Sequence, residues 1–534
     1  MRISLVASMS AVDGWTRRSA LGAGAATLIA GAVQATVPLA PVEVRCAAGA
    51  FVGMPLGPGS DGVTAFKGIR YGRAKRFRAP EPIPRASEPV SAFAFGAVCP
   101  QSGPYGPQSE DCLFLNIWTA AADPRAKNPV MVYIHGGAYS NGSVTDPQND
   151  GQALAARGDV VVVTVNHRLN ALGYLYLARL DSRFPDSGNA GQLDLILALK
   201  WVRDNIAAFG GDPSRVMVFG QSGGGAKIAT MMGMPAAAGL FHRAATMSGQ
   251  QVTVSGPLNA TARARAYLAK LGVAETDLSP LLTLPVEKVV EALGATDPIM
   301  GGGVYFGPVL DMTWLTRHPF WPDANPLGNR IPMLLGNTHD ETRAFIGIDS
   351  PKVRGLDWSN VATRMAPELR IDILPEWVVA QYRAQYPDWS PTDVFYGATT
   401  AGRSWRGQVI EAEARADAKA PAWVYQVDFA SRTEPRRGAM HTMDIPLVFG
   451  TLGAEGSQTG TAADARAASK AMQDSFVAFA VTGNPNHAGA PKWPIYDRAA
   501  RSTMIFDARS RVEADPRCWE RELFARVPYI QPGT

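Results

Sequence analysis

The sequence predicts an α/β fold, a large and mostly parallel central sheet with helices on its faces. Three observations carry this. Short β-branched runs alternate with longer helical patterns along the chain. Two of these runs, Pro129–Ile134 and Val160–Val165, are apolar throughout, as strands buried on both faces must be. The chain has 534 residues, 46% of them hydrophobic and 18% charged, which suffices for a large buried core.

After those two strands, the spacing of Leu193, Ile196, Leu197, Trp201 and Ile206 predicts a helix over Gln192–Phe209. The run Val216–Phe219 then reads as a strand that ends at Gly220 and a glycine-rich turn. Ile331–Leu335 and Trp423–Val427 are the next strands. Regions 255–325 and 345–420 read as helix-rich insertions placed to roof a site. No internal repeat or low-complexity linker divides residues 36–534, so they read as one domain.

Residues 1–35 read as an export signal. Thr16-Arg17-Arg18-Ser19-Ala20-Leu21 precedes an uncharged Gly/Ala-rich stretch to Val33, and Val33-Gln34-Ala35 offers a small-residue cleavage site. Paired arginines before a mild apolar stretch resemble a twin-arginine signal, which implies a periplasmic or secreted mature protein. No later segment has the roughly 18 apolar residues of a membrane helix. The formal net charge of +4 would fall to about +2 without the signal. No run of basic residues forms a nucleic-acid stripe. Four cysteines (Cys46, Cys99, Cys112, Cys518) fit an oxidising compartment and allow three pairings. None lies in a Cys/His cluster at metal spacing, so a zinc site is not expected.

Chemistry enters at Gly220-Gln221-Ser222-Gly223-Gly224, a G-x-S-x-G elbow between a strand and a helix. A nucleophile at the tip of so tight a turn needs neighbours without bulky side chains. The helix that follows, through Lys227 to Met232, aims its N-terminal N–H groups at the reacting oxygen. Ser222 needs a base oriented by an acid, in the chain order Ser, Asp/Glu, His. His441 is the best base, following the strand Trp423–Val427 and preceding Asp444-Ile445-Pro446; His487 reads as a surface loop residue. The acid follows the strand Ile331–Leu335 in Gly336-Asn337-Thr338-His339-Asp340-Glu341, where position alone does not separate Asp340 from Glu341. His135-Gly136-Gly137-Ala138-Tyr139 follows a buried strand and suits an oxyanion loop of backbone N–H groups.

These residues make the sequence resemble the type B carboxylesterases, the family that includes the cholinesterases. Further motifs extend the resemblance over nearly the whole mature chain. Phe66–Gly72 and Arg76–Pro80 look like its opening strands. Ser109–Asn116 matches its EDCLxLN signature, Asn166–Leu169 its NYRL segment, and Trp201–Pro213 its consensus before the elbow. Thr482–Pro485 and Trp493-Pro494 fit near the end. The resemblance implies an α/β-hydrolase fold and a serine esterase that needs no cofactor. It implies Glu341 as the acid, His441 as the base, and Gly137, Ala138 and Gly223 as oxyanion-hole donors. It also implies a Cys99–Cys112 disulfide, and offers no match for Cys46 or Cys518.

Departures from the family pattern are equally specific. Gln221 replaces a glutamate before the serine, which removes a negative charge near the imidazole and eases deprotonation of His441. Gly223 replaces an alanine and loosens the backbone. Thr442 and Asn170 each replace a glycine. All three catalytic positions are retained, which argues against a silent, adhesion-type binding protein, and the spread of motifs argues against a purely structural role. The Cys99–Cys112 loop carries Tyr105 and no tryptophan, which argues against a choline ester. Short-chain or aryl esters are the expected small-molecule substrates. Tyr139, Tyr305, Phe306 and Trp314 are the aromatic candidates for lining a pocket.

Overall fold

In the computed structural model the described residues are 40–531 and 533, without 58, 59 and 159. The predicted signal, residues 1–35, lies outside the described residues. Seven parallel strands form the centre of the sheet, in the spatial order Val161–Val165, Asn128–Ile134, Gly211–Gln221, Arg243–Met247, Met333–Thr338, Ala422–Val427 and Ser502–Phe506. Antiparallel strands extend both edges, with Phe114–Thr119 and the strands before it on one side and Arg511–Ala514 on the other. The strand expectations therefore hold within a few residues. Their β-branched, unbroken apolar sequences bury Val130–Ile134 and Val161–Val165 on both faces.

Helices cover each face. Ala190–Asn205, with a 3₁₀ turn to Phe209, packs its Leu193, Ile196, Trp201 and Val202 into one core layer. Ala463–Thr482 covers the other face with Met472, Phe476 and Phe479. Region 345–420 is helical as expected, from Val361–Leu369 through Arg406–Asp417, and it has its own apolar centre around Met365, Tyr382 and Phe395. No helix of the described residues is long and apolar enough to cross a membrane.

Two expectations are corrected. Region 255–325 is helical only in its first part, Pro257–Leu271 and Val286–Glu291. Beyond about residue 295, carboxylates take over the role of a regular backbone ladder. Asp297 accepts from the N–H groups of Ile299, Met300 and Tyr305, and Asp311 from those of Thr313, Trp314 and Leu315. Arg76–Pro80 is a turn and not a strand. Phe77 sits at φ +59, and the Arg76 side chain is drawn to Glu110 and to the Leu281 and Leu284 carbonyls instead of leaving its backbone free to pair.

Candidate active site

The strand Gly211–Gln221 runs directly into the helix Gly223–Met231, and Ser222 is the single residue between them. Its backbone lies at φ +55, ψ −125, a conformation costly for a residue with a Cβ. The neighbouring strand holds it there, because the Ser222 N–H donates to the Met247 carbonyl at 2.7 Å. Crowding explains the glycines around it. A Cβ at Gly224 would collide with the Ile134 carbonyl, and one at Gly223 with the Ala138 carbonyl. The absence of a side chain at Gly223 thus lets the glycine loop at Gly136–Ala138 approach the start of the helix closely.

Glu341 and His441 meet at the ends of adjacent parallel strands, Met333–Thr338 and Ala422–Val427. The Glu341 carboxylate bonds to Nδ1 of His441. Its other oxygen accepts from Asn337 Nδ2 at 3.0 Å and the Thr338 N–H at 2.8 Å, and the Ser248 hydroxyl lies against it. Burial works to raise the Glu341 pKa, but the imidazole and these donors hold it below its ordinary value. Asp340 points elsewhere, accepting from the Ala439 N–H at 2.9 Å and pairing with His339 and Arg343. The backbone geometry thus separates two adjacent carboxylates that sequence position did not.

With Nδ1 facing a carboxylate, Nε2 of His441 is the acceptor, and the Gln221 side-chain amide donates to it at 3.1 Å. Phe345 packs against the same ring, with centroids 4.3 Å apart. A cavity of about 340 Å³ opens beside these groups, and Ser222, Gly137, Ala138 and Gly223 all line it. None of these last three N–H groups has an acceptor among the described residues. Of the aromatic candidates, Tyr139 and Tyr305 line the cavity. Phe306 packs instead on Tyr267 in the core, and the Trp314 ring donates to Asp186. Tyr105 bonds to Asp146.

Four neighbours of the site were given no role of their own from sequence. Lys227, one turn into the helix, is fully buried, donates to the Ala138 carbonyl at 2.8 Å, and lies over the Tyr139 ring. Burial without a carboxylate partner pushes its pKa down to about 7. The nearby His135 and His167 rings stack at 4.6 Å. Both are held neutral by burial and the Lys227 charge, His135 down to about 3. Asp444 is buried with neither carboxylate oxygen bonded, and burial followed by the Glu341 charge raises its pKa to about 7. A lysine inside an otherwise apolar Gly/Ala helix was the available signal for the first.

The substituted glycines keep their unusual backbone. Thr442 sits at φ +79 and Asn170 at φ +48. Asn170 also ties two loops together, donating to the Pro100 carbonyl at 2.9 Å and the Ser140 carbonyl at 3.3 Å. The expected Cys99–Cys112 bridge is not formed. Both residues are buried free thiols that lie in hydrogen-bond contact. Cys46 and Cys518 are also free. No group of three or more metal-ligating side chains occurs among the described residues.

The strand order and the strand–serine–helix elbow place the chain among the α/β-hydrolases. Residues 40–519 match the carboxylesterase family. The para-nitrobenzyl esterase of Bacillus subtilis (strain 168) is 36% identical over 489 residues, 87% of this chain and 96% of that protein. The fumonisin B1 esterase of Sphingopyxis macrogoltabida is 32% identical over 422 residues, covering 73% and 72% of the two chains. Among solved structures, the Geobacillus stearothermophilus carboxylesterase EST55 superposes with a TM-score of 0.81 at 34% identity, over 90% of this chain and 99% of that one. This chain belongs to the carboxylesterase family and is a carboxylic ester hydrolase.

Proposed function

We propose that Ser222 is the nucleophile of a serine esterase acting on short-chain or aryl esters, with His441 as base and Glu341 as the acid that orients it. The observation that carries this reading is the Glu341–His441 pair beyond the ends of adjacent strands, with Gln221, the residue before the strained Ser222, in contact with His441 Nε2. His441 takes the serine proton as Ser222 attacks the ester carbonyl, and the tetrahedral oxyanion is held by the N–H groups of Gly137, Ala138 and Gly223. Glu341 stabilises the imidazolium. His441 then gives its proton to the departing alcohol, and a water molecule repeats the sequence on the acyl-enzyme to release the acid and free Ser222. A relative named para-nitrobenzyl esterase supports an ester with an aromatic group in its alcohol portion.

In the same reading, residues 1–35 direct export of a single catalytic domain, residues 36–534, and the adjacent Cys99 and Cys112 thiols pair once the chain reaches an oxidising compartment. Hydrolysis of p-nitrophenyl esters from C2 to C12 by the mature protein and by Ser222→Ala tests the catalytic part. Activity in the first and its loss in the second is the expected result, with the chain-length optimum reporting the acyl pocket. Equal rates in both proteins would overturn the assignment of Ser222.

A further inference from the structure

The cavity beside Ser222 carries positive charge for which the chemistry above has no use. Arg370 and Arg403 both line it, and no aspartate or glutamate does. Glu368 reaches Arg403 at 3.3 Å, but the same carboxylate takes Lys352 at 2.5 Å, so it is shared between two cations. Arg370 makes no hydrogen bond or ion pair with any described residue. Burial, and then the neighbouring Arg370 charge, lowers the pKa of Arg403 to about 10.

Uncommon backbone presents both arginines to the cavity. Arg370 ends the helix Val361–Leu369 in the left-handed region, at φ +55 and ψ 31, where glycine or asparagine is the ordinary choice. Arg403 sits in the π-helical turn Thr400–Trp405, a form that is rare and frequent at functional sites. Its guanidinium lies 5.3 Å from the centre of the Phe345 ring, which itself packs on His441. The cationic wall is therefore one aromatic layer away from the imidazole. Tyr305, Tyr529, Gln250 and Gln251 make the rest of the lining rich in hydrogen-bonding groups. A plain hydrocarbon substituent would bury these two guanidiniums further and give them nothing in return.

We propose that the preferred substrate is an ester that also carries a free carboxylate, held by Arg370 and Arg403 while Ser222 attacks the ester carbonyl. The proposal rests on the esterase reading above and names the class of ester. A guanidinium pair matches a carboxylate in both charge and planar geometry, and its field concentrates anions at the cavity mouth.

Matched ester pairs test it. On the acyl side, mono-4-nitrophenyl glutarate is compared with 4-nitrophenyl pentanoate. On the alcohol side, 4-carboxyphenyl acetate is compared with 4-methylphenyl acetate, followed by pH-stat. The expected result is a kcat/KM at least about tenfold higher for the anionic member of one pair, the pair itself showing which side of the ester faces the arginines. Arg370→Gln should abolish that ratio, Arg370→Lys should restore part of it, and rising salt should shrink it. Glutarate or 4-hydroxybenzoate should inhibit hydrolysis of a neutral ester competitively, and more weakly in Arg370→Gln. Neutral esters turned over as well as or better than anionic ones in both pairs, or ratios unmoved by Arg370→Gln, would overturn the proposal and leave the esterase reading standing. No Ser222-dependent hydrolysis of any of the four esters would instead overturn the reading on which it rests.

Discussion

The Gln221 side-chain nitrogen lies 3.1 Å from Nε2 of His441, the nitrogen that takes the Ser222 proton in the proposed mechanism. A neutral amide therefore stands against the base where the family pattern has a carboxylate. Gln221→Glu is expected to stabilise the imidazolium and move the acid limb of the kcat/KM profile up by about one to two pH units. The profile should be recorded with a neutral ester, so that substrate charge does not contribute. An unmoved acid limb would show that this contact does not bear on the base.

Lys227 places a buried charge behind the oxyanion loop, on the Ala138 carbonyl. Lys227→Met is expected to lower kcat by about 10- to 100-fold with little change in KM, since it removes both a tether and a positive charge from where the oxyanion develops. The lysine is charged below its pKa of about 7 and neutral above it. Its catalytic contribution should therefore fade as pH rises through that value, and the corresponding limb should vanish in the variant. A variant with unaltered kcat across pH 6–9 would exclude this role.

Asp444 predicts a pH dependence of stability. Its folded pKa, about 7, lies above the ordinary 3.8, so the folded chain holds this proton more tightly than the unfolded chain. The resulting stabilisation is complete below about pH 4 and is lost as pH rises toward 7, on the order of a few kcal/mol. Asp444→Asn removes the group, and the variant should gain in Tm relative to the parent between pH 5 and pH 8. A constant difference in Tm over that interval would contradict the assignment.

Thr442, a β-branched residue at φ +79 beside His441, holds strain that a glycine would not. Thr442→Gly should relieve about 1–2 kcal/mol of backbone strain and return about 0.5–1 kcal/mol as unfolded-chain entropy. A small net stabilisation in guanidinium titration is the expected outcome, and a loss of more than about 1 kcal/mol would mean that the threonine side chain is needed for packing.

The adjacent Cys99 and Cys112 thiols predict a redox difference. Protein recovered from an oxidising compartment should titrate with two fewer free thiols than protein kept reduced, and closure of this short loop should add about 3 kcal/mol of stability. Equal thiol counts would show that the pair stays reduced.

Much of this was legible along the chain, because it depends on local patterns. Unbroken apolar runs such as Val160–Val165 announce strands buried on both faces, and the glycines around Ser222 announce a turn too tight for side chains. The mostly parallel sheet, the elbow and the candidates Ser222 and His441 came from such patterns, while the donors Gly137, Ala138 and Gly223 came from the resemblance. Between Asp340 and Glu341 local pattern was silent, because both follow the same strand; only the resemblance favoured Glu341. Two readings of the fold went astray, a strand at Arg76–Pro80 and helices beyond residue 295, where side chains such as Arg76, Asp297 and Asp311 satisfy backbone groups that regular structure would otherwise pair.

The sequence by itself determined which residue types stand at the elbow, on the glycine loop and at the strand ends, because those requirements are met within a few residues. Tertiary structure alone decided which carboxylate meets His441, that Gln221 faces its other ring nitrogen, that Lys227 reaches the Ala138 carbonyl, and that Arg370 and Arg403 line one cavity with no carboxylate in its lining. The physical reason is separation. Charge, burial and hydrogen bonding depend on neighbours in space, and Glu341 and His441 stand 100 residues apart along the chain.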